Sequence, residues 1–221
     1  MLNRLEVMTA TLLSACSSGA LEKAANILQQ GGLVAFPTDT VYGVGAHAFL
    51  PEAVERLYIV KGRPRDKAIP LLLRKAEDMR DVAAEISLFA WRLAENFWPG
   101  GLTMVLFRKE DVPDVVCAGG DTVAVRVPAH PLTLALIEAV GVPLATTSAN
   151  RSGAVSAVTA EEVQRELGNQ IELILDGGRS PGGTPSTVID LTRDPPAILR
   201  QGAILEECLR KVIDQELSRQ T

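Results

Sequence analysis

The 221-residue chain is 47% hydrophobic and 22% charged, which suits one globular domain with a sizeable core. No apolar run approaches the roughly twenty residues that cross a bilayer, and a formal net charge of −5 weighs against broad nucleic-acid binding while leaving room for a local basic groove. Three dispersed cysteines without a Cys-x-x-Cys pair, alongside only two histidines, exclude a disulfide framework and a zinc site, so the chain reads as reduced and cytoplasmic.

Leu13-Ser14-Ala15-Cys16 has the form of a lipoprotein cleavage site, but Glu6 interrupts the stretch before it and Arg4 is its only early cation. Residues 1–17 are read instead as an N-terminal extension, its order left open, ahead of one domain over 18–221. Leu21, Ala24, Ala25 and Leu28 share a helical face, and Gly31-Gly32 stops that helix. Leu33–Phe36 reads as a buried strand, Pro51–Lys61 as a helix with proline in its first turn, and Ile69–Leu73 as the next strand. Helices follow near Glu77–Val82 and Ser87–Phe97. Leu102–Phe107 and Val123–Val127 read as strands, Leu132–Val140 as a helix closed by Gly141, and Pro143–Thr146 as a strand. Thr159-Ala160-Glu161-Glu162 has capping-box form and opens a helix to Leu167. Glu172–Leu175, Thr187–Leu191 and Ala197–Leu199 are late strands, and an amphipathic helix over about Leu205–Leu217 closes the chain. Helices and strands alternate, yet some links between strands are too short for helical crossovers, which predicts one α/β domain with a mixed sheet.

Five segments carry chemistry. Pro37–Gly45, PTDTVYGVG, sits at the carboxyl end of a buried strand, where open α/β sheets bind ligands. It is either a pocket wall, with threonines donating to ligand oxygens and glycines admitting close backbone approach, or a turn whose Thr and Asp satisfy their own backbone. Lys61-Gly62-Arg63-Pro64-Arg65-Asp66-Lys67 sets four cations at a helix end, as a solvated cap on the helix dipole or as a phosphate clamp. Along Asp121–Pro128 the valines 123, 125 and 127 share one face, and Thr122, Ala124 and Arg126 the other. Arg126 then either reaches into a pocket or makes a structural salt bridge. Thr146, Thr147, Ser148 and Asn150 crowd hydrogen-bonding groups directly after an apolar strand, which favours a site over a plain turn. Asp176–Pro185 is a lid or a plain surface loop. His130 reads as a helix N-cap rather than a catalyst, and Cys117 lacks a histidine partner for a nucleophilic role. No Walker motif, GxGxxG or GxSxG is present.

In order, PTDTVYGVG (37–45), KGRPRDKAIPLLL (61–73), FWPGGLTMVL (97–106), DTVAVRVPAHP (121–131), TTSANRSG (146–153), DGG (176–178), PSTVIDL (185–191) and LRQGA (199–203) resemble the YrdC-like family of threonylcarbamoyl-AMP synthases over about residues 20–204. The resemblance implies a single α/β domain, its twisted mixed parallel and antiparallel sheet wrapped by helices around a basic concave cavity. It implies a nucleotidyltransferase that joins L-threonine, bicarbonate and ATP into threonylcarbamoyl-adenylate and releases pyrophosphate. A transferase would then pass the group to tRNA. Mg2+ would arrive bound with ATP, with no metal held by protein side chains. By motif, Lys61, Arg63, Ser148 and Asn150 match the catalytic set around the nucleotide and the forming adenylate. Thr38, Arg126 and Ser186 match threonine contacts, and Thr122, Ser156 and Arg200 match further ATP contacts. Val155 and Ala157 stand where the family often carries prolines around Ser156. The chain ends soon after its closing helix, as expected of short members without the additional C-terminal domain. The alternatives are a related protein without synthase activity, and a module binding double-stranded RNA. A related domain also occurs in the carbamoyltransferase of hydrogenase maturation, within a much longer chain.

Overall fold

The computed structural model describes residues 9–220, without the side chains of 214–220; residues 1–8 of the expected N-terminal extension lie outside the described residues. The elements run β1 (Thr11–Ser14), α1 (Ala20–Gln29), β2 (Val34–Phe36), β3 (Gly43–His47), α2 (Pro51–Lys61) and β4 (Leu71–Leu72). A short 3-10 turn leads into α3 (Met79–Val82), α4 (Leu88–Phe97), β5 (Leu102–Phe107), β6 (Thr122–Arg126), α5 (Pro131–Val140) and β7 (Leu144–Ser148). α6 (Ala160–Leu167), β8 (Leu173–Asp176), β9 (Thr187–Asp190), β10 (Ala197–Arg200) and α7 (Glu206–Gln220) complete the chain.

All these strands join one mixed sheet in the order β1-β8-β2-β3-β7-β4-β6-β5-β9-β10. The pairs β1–β8, β2–β8, β4–β6 and β5–β9 are parallel, and the others antiparallel. The expected mixed α/β sheet is therefore present. Two strands go beyond the sequence reading. β1 adds an edge along β8, pairing Leu12 with Ile174. β3 turns the second half of PTDTVYGVG into sheet, with its Gly43 opposite Phe36 of β2.

Side-chain alternation divides the sheet into two faces. One face carries Leu71, Val125, Met104, Ala145 and Ile189, all buried against Leu57 of α2, Leu93 of α4, Leu167 of α6 and Leu209 of α7. On the other face Val34, Phe36, Leu173 and Leu175 pack under Leu28 of α1 and Leu136 and Ile137 of α5. α1 and α5 cover only part of that second face. The remainder, over β7, β4, β6, β5 and β9, is left open.

Local signals explain several element ends. The Thr159 hydroxyl accepts from the Glu162 N–H at 3.3 Å, while the Glu162 carboxylate accepts from the Thr159 N–H at 3.3 Å, the reciprocal cap read from the sequence. His130 does occupy the N-cap of α5, but its side chain makes no capping bond there. Cys117 is buried, and burial pushes its thiol up to about 11, so it is no thiolate nucleophile at neutral pH. Among the described residues no helix is long and apolar enough to cross a membrane.

Candidate active site

The open part of the second face is a cavity of about 350 Å³. Its floor takes alternate residues from successive strands: Thr146 and Ser148, Leu72, Ala124 and Arg126, Thr103 and Val105, and Val188. Thr38, Tyr42, Arg63, Ser186 and Arg200 close its rim.

Thr38 begins the link from β2 to β3. Its hydroxyl donates to the Val41 carbonyl at 2.7 Å and accepts from the Thr40 and Val41 N–H groups at 3.2 and 3.3 Å. It also shares a 2.9 Å bond with the Thr40 hydroxyl. The segment is thus a turn that satisfies its own backbone and a cavity wall at once. The glycines behind it answer to packing rather than to a ligand. A Cβ on Gly45 would stand 2.8 Å from Phe36 Cε1, and one on Gly43 2.8 Å from Thr146 Cγ2. Tyr42, fully buried, donates to the Gly178 carbonyl at 2.7 Å and so pins the start of the 176–185 loop beside the cavity.

The four cations after α2 separate. Gly62 takes a left-handed conformation, φ 57°, and turns the chain so that Lys61 and Arg63 diverge. Arg65 pairs with Glu55 and lies 5.0 Å over the Tyr58 ring, and Lys67 is exposed. Arg63 reaches the cavity and donates to the Lys67 and Ala68 carbonyls at 3.0 and 2.8 Å. Lys61 is 4% exposed, with its Nζ donating to the carbonyls of Ser148 and Asn150. Burial pushes this ammonium down to about 7, Arg63 adds to the effect and Glu166 opposes it. The solvated-cap reading therefore fails for Lys61.

Arg126 is held on every side: Nε donates to the Gly100 carbonyl at 2.8 Å, Nη1 to the Thr40 hydroxyl at 3.0 Å, and Nη2 to Asp39 Oδ1 at 2.7 Å. It is both pocket residue and salt-bridge partner. Arg200, on β10, donates through Nε and Nη2 to the Ser186 carbonyl and through Nη2 to the Ser186 hydroxyl at 3.1 Å. Burial lowers its pKa first, then the nearby Arg126 and Arg63. Arg200 thus feels both other guanidiniums across the cavity.

Asn150 donates through Nδ2 to the Arg151 and Ala154 carbonyls, both at 2.8 Å, which fixes the amide's orientation. Its Oδ1 is buried with no partner, an acceptor awaiting a donor.

Of the predicted site residues, Thr38, Arg63, Arg126, Ser148, Ser186 and Arg200 line the cavity. Lys61 and Asn150 lie buried at the end of β7, beside it. Thr122 and Ser156 are not brought to it; Ser156 lines a separate groove with Arg165 and Arg179. The sequence reading took Asp39 and Thr40 only as part of the PTDTVYGVG wall or turn, and gave Thr103 no role. Thr103, within the apolar run LTMVLF and 2.8 Å from the Ser186 hydroxyl, was detectable as a lone polar residue on one strand face.

A family model of Sua5, YciO and YrdC proteins, described as "Telomere recombination", matches residues 26–202. The threonylcarbamoyl-AMP synthase of Pyrococcus abyssi is 47% identical over 192 residues, 87% of this chain and 56% of that protein. That of Bacillus subtilis is 42% identical over 194 residues, again 87% of this chain and 56% of the relative. Among solved structures, P. abyssi Sua5 complexed with L-threonine superposes with a TM-score of 0.90 at 43% identity, covering 92% of this chain and 61% of that one. The chain spans little more than half the length of these curated relatives.

Proposed function

The chain belongs to the Sua5/YciO/YrdC family, and on that premise we propose that it is a threonylcarbamoyl-AMP synthase, a nucleotidyltransferase acting on L-threonine, bicarbonate and MgATP. The observation that carries the reading is the convergence of Arg63, Arg126 and Arg200 with the hydroxyls of Ser148 and Ser186 on one open sheet face. L-threonine is the ligand of the P. abyssi Sua5 structure, and we carry it to this cavity.

In this reading the threonine carboxylate sits on Arg126, which keeps one uncommitted N–H on each Nη. Arg63 and Arg200 take the phosphates, with Ser148, Lys61 and the Asn150 amide close by. The threonine amine and bicarbonate give a carbamate and water. A carbamate oxygen attacks the α-phosphorus, the bond to the bridging oxygen breaks, and pyrophosphate leaves. No protein nucleophile is required; positioning and charge neutralisation supply the rate. Magnesium enters as part of MgATP. Contacts of ATP with Thr122 and Ser156, which lie off the cavity, do not support the reading. The product is an activated acyl-adenylate, suited to transfer onto tRNA by a partner enzyme.

The test is pyrophosphate release with MgATP and bicarbonate. Release is expected only when L-threonine is added. Release without threonine, or none with it, overturns the proposal.

A further inference from the structure

The cavity sorts its guanidiniums by charge. Arg126 Nη2 lies 2.7 Å from Asp39 Oδ1, with the two side chains 7% and 16% exposed. Arg63 and Arg200 have no ion-pair partner among the described residues; backbone carbonyls and the Ser186 hydroxyl hold them. Asp66 acts on Arg63 only from longer range. Asp39 is itself fixed, because the same Oδ1 accepts from the Ala129 N–H at 3.0 Å.

Arg126 has five N–H groups, and three are engaged, by Gly100, Thr40 and Asp39. One N–H remains on each Nη, two donors left for a ligand in the cavity.

We propose that Asp39 is a positioning and selectivity residue: acting through Arg126, it makes this arm of the cavity accept an amino-acid carboxylate and refuse phosphate, which is left to Arg63 and Arg200. The inference rests on the synthase reading above and deepens it. An amino acid is a zwitterion, so a nearly neutral Arg126–Asp39 pair costs it little while the two hydrogen bonds remain. Phosphate carries nearly twice the charge of a carboxylate and no compensating ammonium, so the Asp39 carboxylate repels it far more. An enzyme with an anionic nucleotide and an amino acid in one cavity needs such a distinction, or the two compete for equivalent cations. Thr40 orients Arg126 but supplies no charge. Asp39 is therefore the residue that sets the selectivity.

Calorimetric titrations with L-threonine and with inorganic phosphate test this on the full chain. In the wild-type protein phosphate should bind without displacing threonine. In Asp39→Asn, phosphate should bind more tightly and compete with threonine, and the ratio of threonine to phosphate affinity should fall about tenfold or more. Asp39→Glu keeps the charge and should keep that ratio within about threefold of wild type. A merely structural role for Asp39 would weaken both ligands together and leave the ratio unchanged; that outcome, in a variant that unfolds at the wild-type temperature, overturns the proposal. Should Asp39→Asn fail to fold, wild-type competition decides alone, since phosphate that displaces threonine there refutes the sorting. Wild-type protein that binds no threonine would overturn the synthase reading and this inference with it. Threonine binding with phosphate displacement overturns the inference only.

Discussion

Lys61 offers the sharpest test of the electrostatics, through replacement by methionine. In the free protein its ammonium, 4% exposed, is pushed by burial and by Arg63 from an ordinary 10.5 to about 7. At pH 8.5 the nucleotide's own phosphates are already deprotonated, and most of the free protein has lost the Lys61 proton. A bound triphosphate within a few ångströms favours the charged form and returns the pKa toward its ordinary value. Nucleotide binding at pH 8.5 should therefore take up nearly one proton. Calorimetry in two buffers of different ionisation enthalpy measures it directly. Uptake below about 0.3 proton in the wild-type protein, or equal uptake in Lys61→Met, would refute the reasoning. The same shift predicts a stability profile. With the folded pKa below the unfolded one, the unfolded chain binds more protons between about pH 7 and 10.5, so stability rises with pH across that window, by at most about 1.4 kcal/mol per unit. Below about pH 7 the cost of the buried charge is fully present. Lys61→Met should lose that slope. It should also leave the Asn150 carbonyl without a donor, at about 1–3 kcal/mol if it stays dry, while the Ser148 carbonyl keeps the Asn150 N–H.

Arg63→Ala should lower threonine-dependent pyrophosphate release by about a hundredfold or more, the scale of losing a charged transition-state contact, and should cost about 1–2 kcal/mol of stability through its bonds to the Lys67 and Ala68 carbonyls. Tyr42→Phe removes the 2.7 Å bond to the Gly178 carbonyl and should cost about 1 kcal/mol, with faster amide exchange confined to the 176–185 loop. Gly45→Ala would press a Cβ to 2.8 Å from the buried Phe36 ring, and denaturant unfolding should show a loss of about 1–3 kcal/mol.

What was legible in the sequence followed from period and local chemistry. The valines 123, 125 and 127 announced a strand with Arg126 on its opposite face, and the Thr159–Glu162 cap is a matter of four residues. β3 was hidden because glycine at 43 and 45 removes the alternating side chains that mark a strand. The reason for Gly45 is the Phe36 ring on one neighbouring strand and for Gly43 the Thr146 methyl on the other, both visible only once the register is known. Arg126 was identified as a pocket residue, but its partner Asp39 lies 87 positions away and no local pattern joins them. The run of cations 61–67 was likewise visible as charge alone. Its division into a buried ammonium, a cavity guanidinium, an ion pair on a tyrosine face and a solvated lysine depends on how Gly62 turns the chain. Ser156, assigned by motif, sits beyond the loop that follows β7, in a groove that one-dimensional order does not distinguish from the cavity.

The cavity floor is assembled from strands that lie far apart along the chain and meet only in the finished sheet. No hairpin or helix pair owns enough of it to hold a ligand, because Arg63 arrives on the loop after α2 and Arg126, Ser148 and Arg200 on three different strands. Binding is then blind to partly folded chains. A nucleotide or amino acid bound as proposed would add its free energy to the complete domain alone, raising the unfolding temperature as a logarithm of ligand concentration.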